Sequence, residues 1–116
     1  MDQKWLWING EWVQAARQYD LTAPYSGEVI ASVGKASVVQ VEQAIEGAHA
    51  AFLAFKKTTA YKRAEILYKV VEIMRARREE LARILTLEAA KPLSASLAEL
   101  DRTIATYQFS AEAAKQ

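Results

Sequence analysis

Trp5-Leu-Trp-Ile8, then Asn9-Gly10, then Glu11-Trp-Val13 is the stretch on which the fold reading turns. Two short runs of aromatic and aliphatic residues flank a pair that accepts positive φ at both central positions. That is the requirement of a type I′ turn, whose twist matches paired strands, so the spacing predicts a β-hairpin. Working outward, Tyr19 to Ala23 reads as a third short strand. The turn Pro24-Tyr-Ser-Gly27 follows, with Pro early and Gly late. Val29, Ile30 and Val33 suggest a fourth strand. All three tryptophans and three of the four glycines precede residue 36, which makes residues 1–36 a β-rich N-terminal region.

After Lys35 the pattern changes to helical over residues 37–116. Ser37 and Gln40 have capping-box spacing, which satisfies backbone N–H groups that a first helical turn leaves free. Val41, Ala44, Ile45, Ala48, Ala51, Phe52 and Phe55 then fall on one apolar face. Thr58 or Thr59 can cap a second helix from about Ala60 to Glu88, with a bend allowed. Its stripe is Ala64, Leu67, Val71, Met74, Leu81 and Leu85, with Glu65/Lys69 and Glu79/Arg83 as supporting i,i+4 pairs. Pro92 disfavours helical geometry at Lys91 and ends it. A third helix carries Leu93, Leu97, Leu100, Ile104, Tyr107 and Ala111. No Gly, Pro or turn cluster follows Phe109, so the expectation is a chain cut, or naturally stopped, in mid-architecture. The expected fold class is an α+β fragment, a hairpin and short strands followed by three helices.

Composition removes several classes of function. The 116 residues carry 15 Lys+Arg against 14 Asp+Glu, a net charge of +1, which argues against a nucleic-acid binder. There is no cysteine, hence no disulfide framework, thiolate metal site or cysteine nucleophile in this chain. No signal-peptide layout opens the sequence, and no apolar stretch approaches the ~20 residues that span a bilayer. No membrane partner and a cytoplasmic location are the expectations. The glycines at 10, 27, 34 and 47 are too dispersed for a phosphate loop. His49 sits in an Ala-rich helix with no triad logic around it. Arg75-Ala-Arg-Arg78 is flanked by Glu72, Glu79 and Glu80, the mark of a salt-bridged helix face. Spacing alone identifies no active site, with no catalytic and no cofactor-binding residue.

The order of the pieces nevertheless resembles one family. Ile8-Asn-Gly-Glu-Trp12 and Ala23-Pro-Tyr-Ser-Gly-Glu-Val-Ile30 look like the opening of the aldehyde dehydrogenase superfamily, a hairpin followed by an Asn-Pro-x-Thr-Gly-Glu-type turn. Val41-Glu-Gln-Ala-Ile45, with Ala48, Ala51-Phe52 and Phe55, is similar to the first family helix. Arg63-Ala-Glu-Ile-Leu67 and Arg78-Glu-Glu-Leu-Ala82 resemble the second. Leu87-Glu-Ala-Ala-Lys-Pro92 looks like the family's Glu/Asp-x-Gly-Lys-Pro turn, with Glu99 at the acidic position that follows. Two departures stand out: Ala23 replaces the usual Asn, and Ala90 the usual Gly. Losing that glycine removes an easy left-handed position, so the turn before Pro92 is expected to be more helical.

The resemblance implies the N-terminal part of the cofactor-binding domain of a larger α/β enzyme. Such an enzyme oxidises a small aldehyde with NAD or NADP through a cysteine thioester. The family's catalytic residues and most of its cofactor surface come later in its chain. This segment alone is therefore expected to be inactive and to bind no cofactor. Two sets of positions carry over. Thr22, through its carbonyl, and Glu88 correspond to ligands of a monovalent cation, a site completed from elsewhere. The plain alternative pairs Glu88 with Lys91 or caps a nearby N–H. Arg102, Thr106 and Tyr107 correspond to the substrate entrance, where an arginine pairs with an anionic substrate group. The plain alternative there is a surface arginine bonded to Asp101 or Glu99. Uncovered helix faces imply self-association, with a swap through Lys56 to Thr59 as one route. A helical interaction module without catalysis is the competing reading.

Overall fold

The computed structural model describes residues 2–116. Five short strands precede four helices: β1 Asp2–Lys4, β2 Leu6–Ile8, β3 Glu11–Val13, β4 Arg17–Thr22, β5 Val29–Lys35, α1 Val38–Phe55, α2 Ala60–Ala76, α3 Arg78–Ala89 and α4 Leu93–Ala114. The chain packs as two compact units, one ending at Lys57 and one spanning Thr58–Gln116.

In the first unit the hairpin forms as the sequence predicts. Trp7 stands opposite Trp12 and Ile8 opposite Glu11, while Asn9 at φ 53 and Gly10 at φ 79 make the turn. The Trp7 and Trp12 rings meet edge to face, 4.9 Å apart. A separate three-stranded sheet has the order β1-β5-β4. β4 runs antiparallel to β5 with an irregularity at Leu21/Thr22. β1 is parallel to β5, Gln3 facing Ser32. That strand was not expected, because Asp2-Gln-Lys4 has no alternating apolar pattern; it forms by pairing with β5. Ala15, Ala23 and Ala31 form the small buried centre. Gly34 lets two segments approach: a Cβ there would stand 3.0 Å from Ala15 Cβ and 3.3 Å from the Lys4 carbonyl.

The capping box of α1 is complete. The Gln40 N–H donates to Ser37 Oγ (3.1 Å), and the Ser37 N–H to Gln40 Oε1 (3.0 Å). Gln40 Nε2 also donates to the Gln14 carbonyl (3.1 Å). Gly47 matters here because the Asn9 side chain occupies the space a Cβ would need. Yet no residue of α1 is buried. Its apolar face stands in the open, Ile45 at 65% and Phe52 at 55% exposure.

In the second unit Thr59 caps α2, its Oγ1 accepting from the Lys62 N–H. Ala64 and Val71 of α2, Ala82 of α3, and Leu100, Ile104 and Ala111 of α4 form the core. Leu67, Met74, Leu81, Leu85, Leu93 and Leu97 are half-buried around it. Tyr107, assigned to the apolar stripe, is exposed. Ser96 is fully buried instead. Thr86 Oγ1 donates to its hydroxyl at 2.8 Å, which answers the cost of burying it.

Three expectations need correction. The single helix from Ala60 to Glu88 is two, because Arg77 leaves helical geometry at φ −107, ψ 19. Its guanidinium holds Glu80 with two bonds of 2.6 and 2.9 Å, which fixes the start of α3. The turn before Pro92 is not more helical: Ala90 adopts the left-handed conformation, φ 56, ψ 39. Pro92 forces Lys91 out of the helix, so the chain must reverse at Ala90 despite its Cβ. Finally, the Glu65/Lys69 pair is replaced by Lys62–Glu65 and Lys69–Glu72, one residue closer on the same helix. Glu79–Arg83 forms as expected.

Candidate functional site

Arg102, Thr106 and Tyr107 all lie on α4, and all three are exposed. Arg102 and Thr106 are one turn apart, and the Thr106 hydroxyl donates to the Arg102 carbonyl (2.9 Å). That bond spends the hydroxyl on its own helix. The acids expected to hold Arg102 are engaged elsewhere. Arg78 of α3 grips Asp101 with two bonds of 2.7 and 2.9 Å. Lys91 pairs with Glu99. Arg102 therefore forms no ion pair among the described residues, although its charge contributes to lowering the Glu99 pKa.

These pairs set the electrostatics of the α3–α4 face. The Lys91 hydrogen bond is the main reason the Glu99 carboxyl titrates below its ordinary value. The Arg78 hydrogen bond does the same for Asp101, and the Arg77 hydrogen bond for Glu80. Arg75 reaches across to Gln108 Oε1 (2.6 Å). The basic run is thus ion-paired as expected at Arg77, but two of its three arginines hold α4 rather than their own helix. Sequence spacing had no signal for this, since the partners are 23 and 33 residues away. Beside these side chains a cavity of about 640 Å³ opens over Ile104 and Phe109. Arg102, Thr106 and Tyr107 do not line it.

The other candidate positions are less developed. Thr22 ends β4, exposed, in the first unit, and Glu88 is exposed on α3 in the second. The plain expectation that Lys91 pairs with Glu88 fails, because Lys91 goes to Glu99. No group of three or more His, Cys, Asp or Glu side chains that could hold a metal exists among the described residues. The glycines lie in a turn, a second turn, a strand and a helix. No helix among the described residues is long and apolar enough to cross a membrane.

The aldehyde dehydrogenase family profile matches residues 12–116, nearly the whole chain. The chain belongs to the aldehyde dehydrogenase family. It is 36% identical over 111 residues to a 3-sulfolactaldehyde dehydrogenase of Pseudomonas putida, covering 94% of this chain and 23% of that protein. It is 38% identical over 109 residues to malonate-semialdehyde dehydrogenase 2 of Bacillus cereus, covering 92% and 22%. Betaine aldehyde dehydrogenase from Staphylococcus aureus, solved in complex with NAD+, superposes with a TM-score of 0.93 at 31% identity, covering 97% of this chain and 23% of that one. The chain thus spans about a quarter of the length of the family members it matches. The α+β segment of strands then helices is the family's own arrangement at this size.

Proposed function

We propose that these residues are the N-terminal part of an NAD(P)-dependent aldehyde dehydrogenase, 37–116 being the helical part of its cofactor-binding domain. The whole enzyme oxidises a small aldehyde to a carboxylic acid through a cysteine thioester. The observation that carries this is a continuous family match over 92–97% of the chain against only 22–23% of each relative. The chain contains no cysteine, so it supplies no thiolate, and we expect it to be inactive and to bind no NAD or NADP by itself. When bound in the whole enzyme, the nicotinamide would accept the hydride; toward that step the residues here contribute scaffold.

The substrate in this reading is an anionic aldehyde. Two relatives carry names of aldehydes with a sulfonate or carboxylate group, and Arg102 offers a guanidinium without an ion-pair partner among the described residues. Thr106 and Tyr107 would shape the entrance beside it. Thr22 and Glu88 would each give an oxygen to a monovalent cation whose remaining ligands come from outside this segment. The enzyme is cytoplasmic, with no nucleic-acid or membrane partner. Apart from the rest of its polypeptide the segment self-associates through faces such as that of α1, where Ile45 and Phe52 are exposed.

The test begins with the native product in source cells, by immunoblot and intact mass, followed by NAD(P)H formation with malonate semialdehyde. A species several times heavier than 13.0 kDa with that activity is expected. In it, Arg102→Leu should raise KM for the anionic aldehyde roughly tenfold or more while sparing a neutral one. An equal change for both would refute the role of Arg102. A native 13.0 kDa species without activity would favour the helical interaction module instead.

A further inference from the structure

Asn9 is the only asparagine among the 116 residues, and it is followed by Gly10. Both are exposed in the hairpin turn. The Gly10 N–H takes no hydrogen-bond partner among the described residues, and nothing lies within 4 Å of where a Cβ on Gly10 would stand. The Asn9 side chain lies against Gly47, and its amide makes one long hydrogen bond, Nδ2 donating to the Gln43 carbonyl at 3.4 Å. The sheet that holds the turn has only two strands of three residues each. Such a ribbon is marginal in water and opens at low free-energy cost. A nucleophile, an electrophile and the freedom to bring them together therefore coincide at one place.

We infer that Asn9 is a site of spontaneous deamidation. The Gly10 backbone nitrogen attacks Asn9 Cγ, forming a C–N bond, and the side-chain nitrogen leaves as ammonia with the proton Gly10 gives up. The resulting succinimide is opened by water. Cleavage between Cγ and the Gly10 nitrogen leaves aspartate in a normal backbone. Cleavage at the Asn9 main-chain carbonyl leaves isoaspartate, with the backbone rerouted through Cγ. Either product replaces the Nδ2 donor by a carboxylate oxygen facing the Gln43 carbonyl, two acceptors where a hydrogen bond stood. Isoaspartate also adds a methylene to the main chain at the turn, which a two-residue type I′ turn cannot hold in register. The modification thus removes the hydrogen bond by which the turn holds α1.

The chain is incubated in mildly alkaline buffer, native and in urea, and tryptic peptides are followed by mass. The peptide between Lys4 and Arg17 should gain about one dalton and split into aspartate and isoaspartate forms. The native rate should lie within about tenfold of the unfolded rate, as the weak ribbon implies. The converted chain should lose hydrogen-exchange protection at the Glu11 amide. Asn9→Ser has no amide to lose and should remain unchanged in mass. A native chain that keeps Asn9 while the unfolded chain converts would overturn the inference. So would conversion in neither state, or a mass gain that persists in Asn9→Ser.

Discussion

Ala90 closes α3 at φ 56, ψ 39, a conformation in which the Cβ of an L-residue crowds the backbone. Holding a non-glycine residue there costs about 1–2 kcal/mol. Replacing it with glycine removes that cost but adds unfolded-state freedom worth about 0.4–1 kcal/mol. Ala90 is exposed, so no buried packing is lost with its methyl. The expected net effect of Ala90→Gly is a stabilisation of ~0.5–1 kcal/mol, a rise in Tm of ~2–6 °C for a small domain. Thermal unfolding followed by far-UV circular dichroism measures it, with urea titration as the equilibrium check. Ala90→Val should shift the midpoint the other way, since a β-branched residue tolerates positive φ least. A midpoint for Ala90→Gly equal to or below that of the parent would refute the reasoning. A Val variant as stable as the Gly variant would show that the turn does not hold the left-handed state.

Two further outcomes follow from the same unit. Val71, 3% exposed, should tolerate Asp far less than half-buried Leu67 does, because a carboxylate there loses both apolar burial and water. Val71→Asp should cost several kcal/mol and abolish cooperative helix unfolding; a larger loss in Leu67→Asp would mean the core face is misassigned. Asp101 has its pKa lowered by the Arg78 hydrogen bond. A lowered folded pKa contributes stability above the unfolded value, about 4, and loses it as pH falls through the folded value. The Tm gap between the parent and Asp101→Asn should therefore be widest near neutral pH and close as pH falls through the folded value. A gap of constant size across that range would remove the ion pair as its cause.

What was legible in the sequence was whatever local chemistry decides. Asn9-Gly10, Ser37/Gln40 and Thr59 each fix a turn or a cap within four residues, and each forms as read. The order of pieces identified the family because a sequence of short motifs survives loss of any one. What escaped was decided at a distance or by a neighbour's constraint. β1 is charged and polar, and only its pairing with β5 makes it a strand. The break at Arg77 has no Gly or Pro to announce it. Ala90 is left-handed because Pro92 requires a reversal there, against its own preference. Ser96 is buried because Thr86, ten residues away, answers its hydroxyl. At the candidate site Arg78 and Lys91 hold the acids beside Arg102, which has no ion-pair partner among the described residues, and no local pattern reveals that competition.

The edge-to-face pair of Trp7 and Trp12 has a practical consequence. With Trp5, these are the only indoles in the chain, and all three lie in the first unit. The helices beyond Lys57 hold no tryptophan. Intrinsic fluorescence excited at the indole band therefore reports the strand-bearing unit alone, against a helical unit that is dark to it. The coupled rings should also give the hairpin its own exciton couplet at the long-wavelength edge of the far ultraviolet. Far-ultraviolet circular dichroism, most of whose helical signal comes from α2, α3 and α4, supplies the second clock, and a midpoint shared with the fluorescence would mean that the two units melt as one.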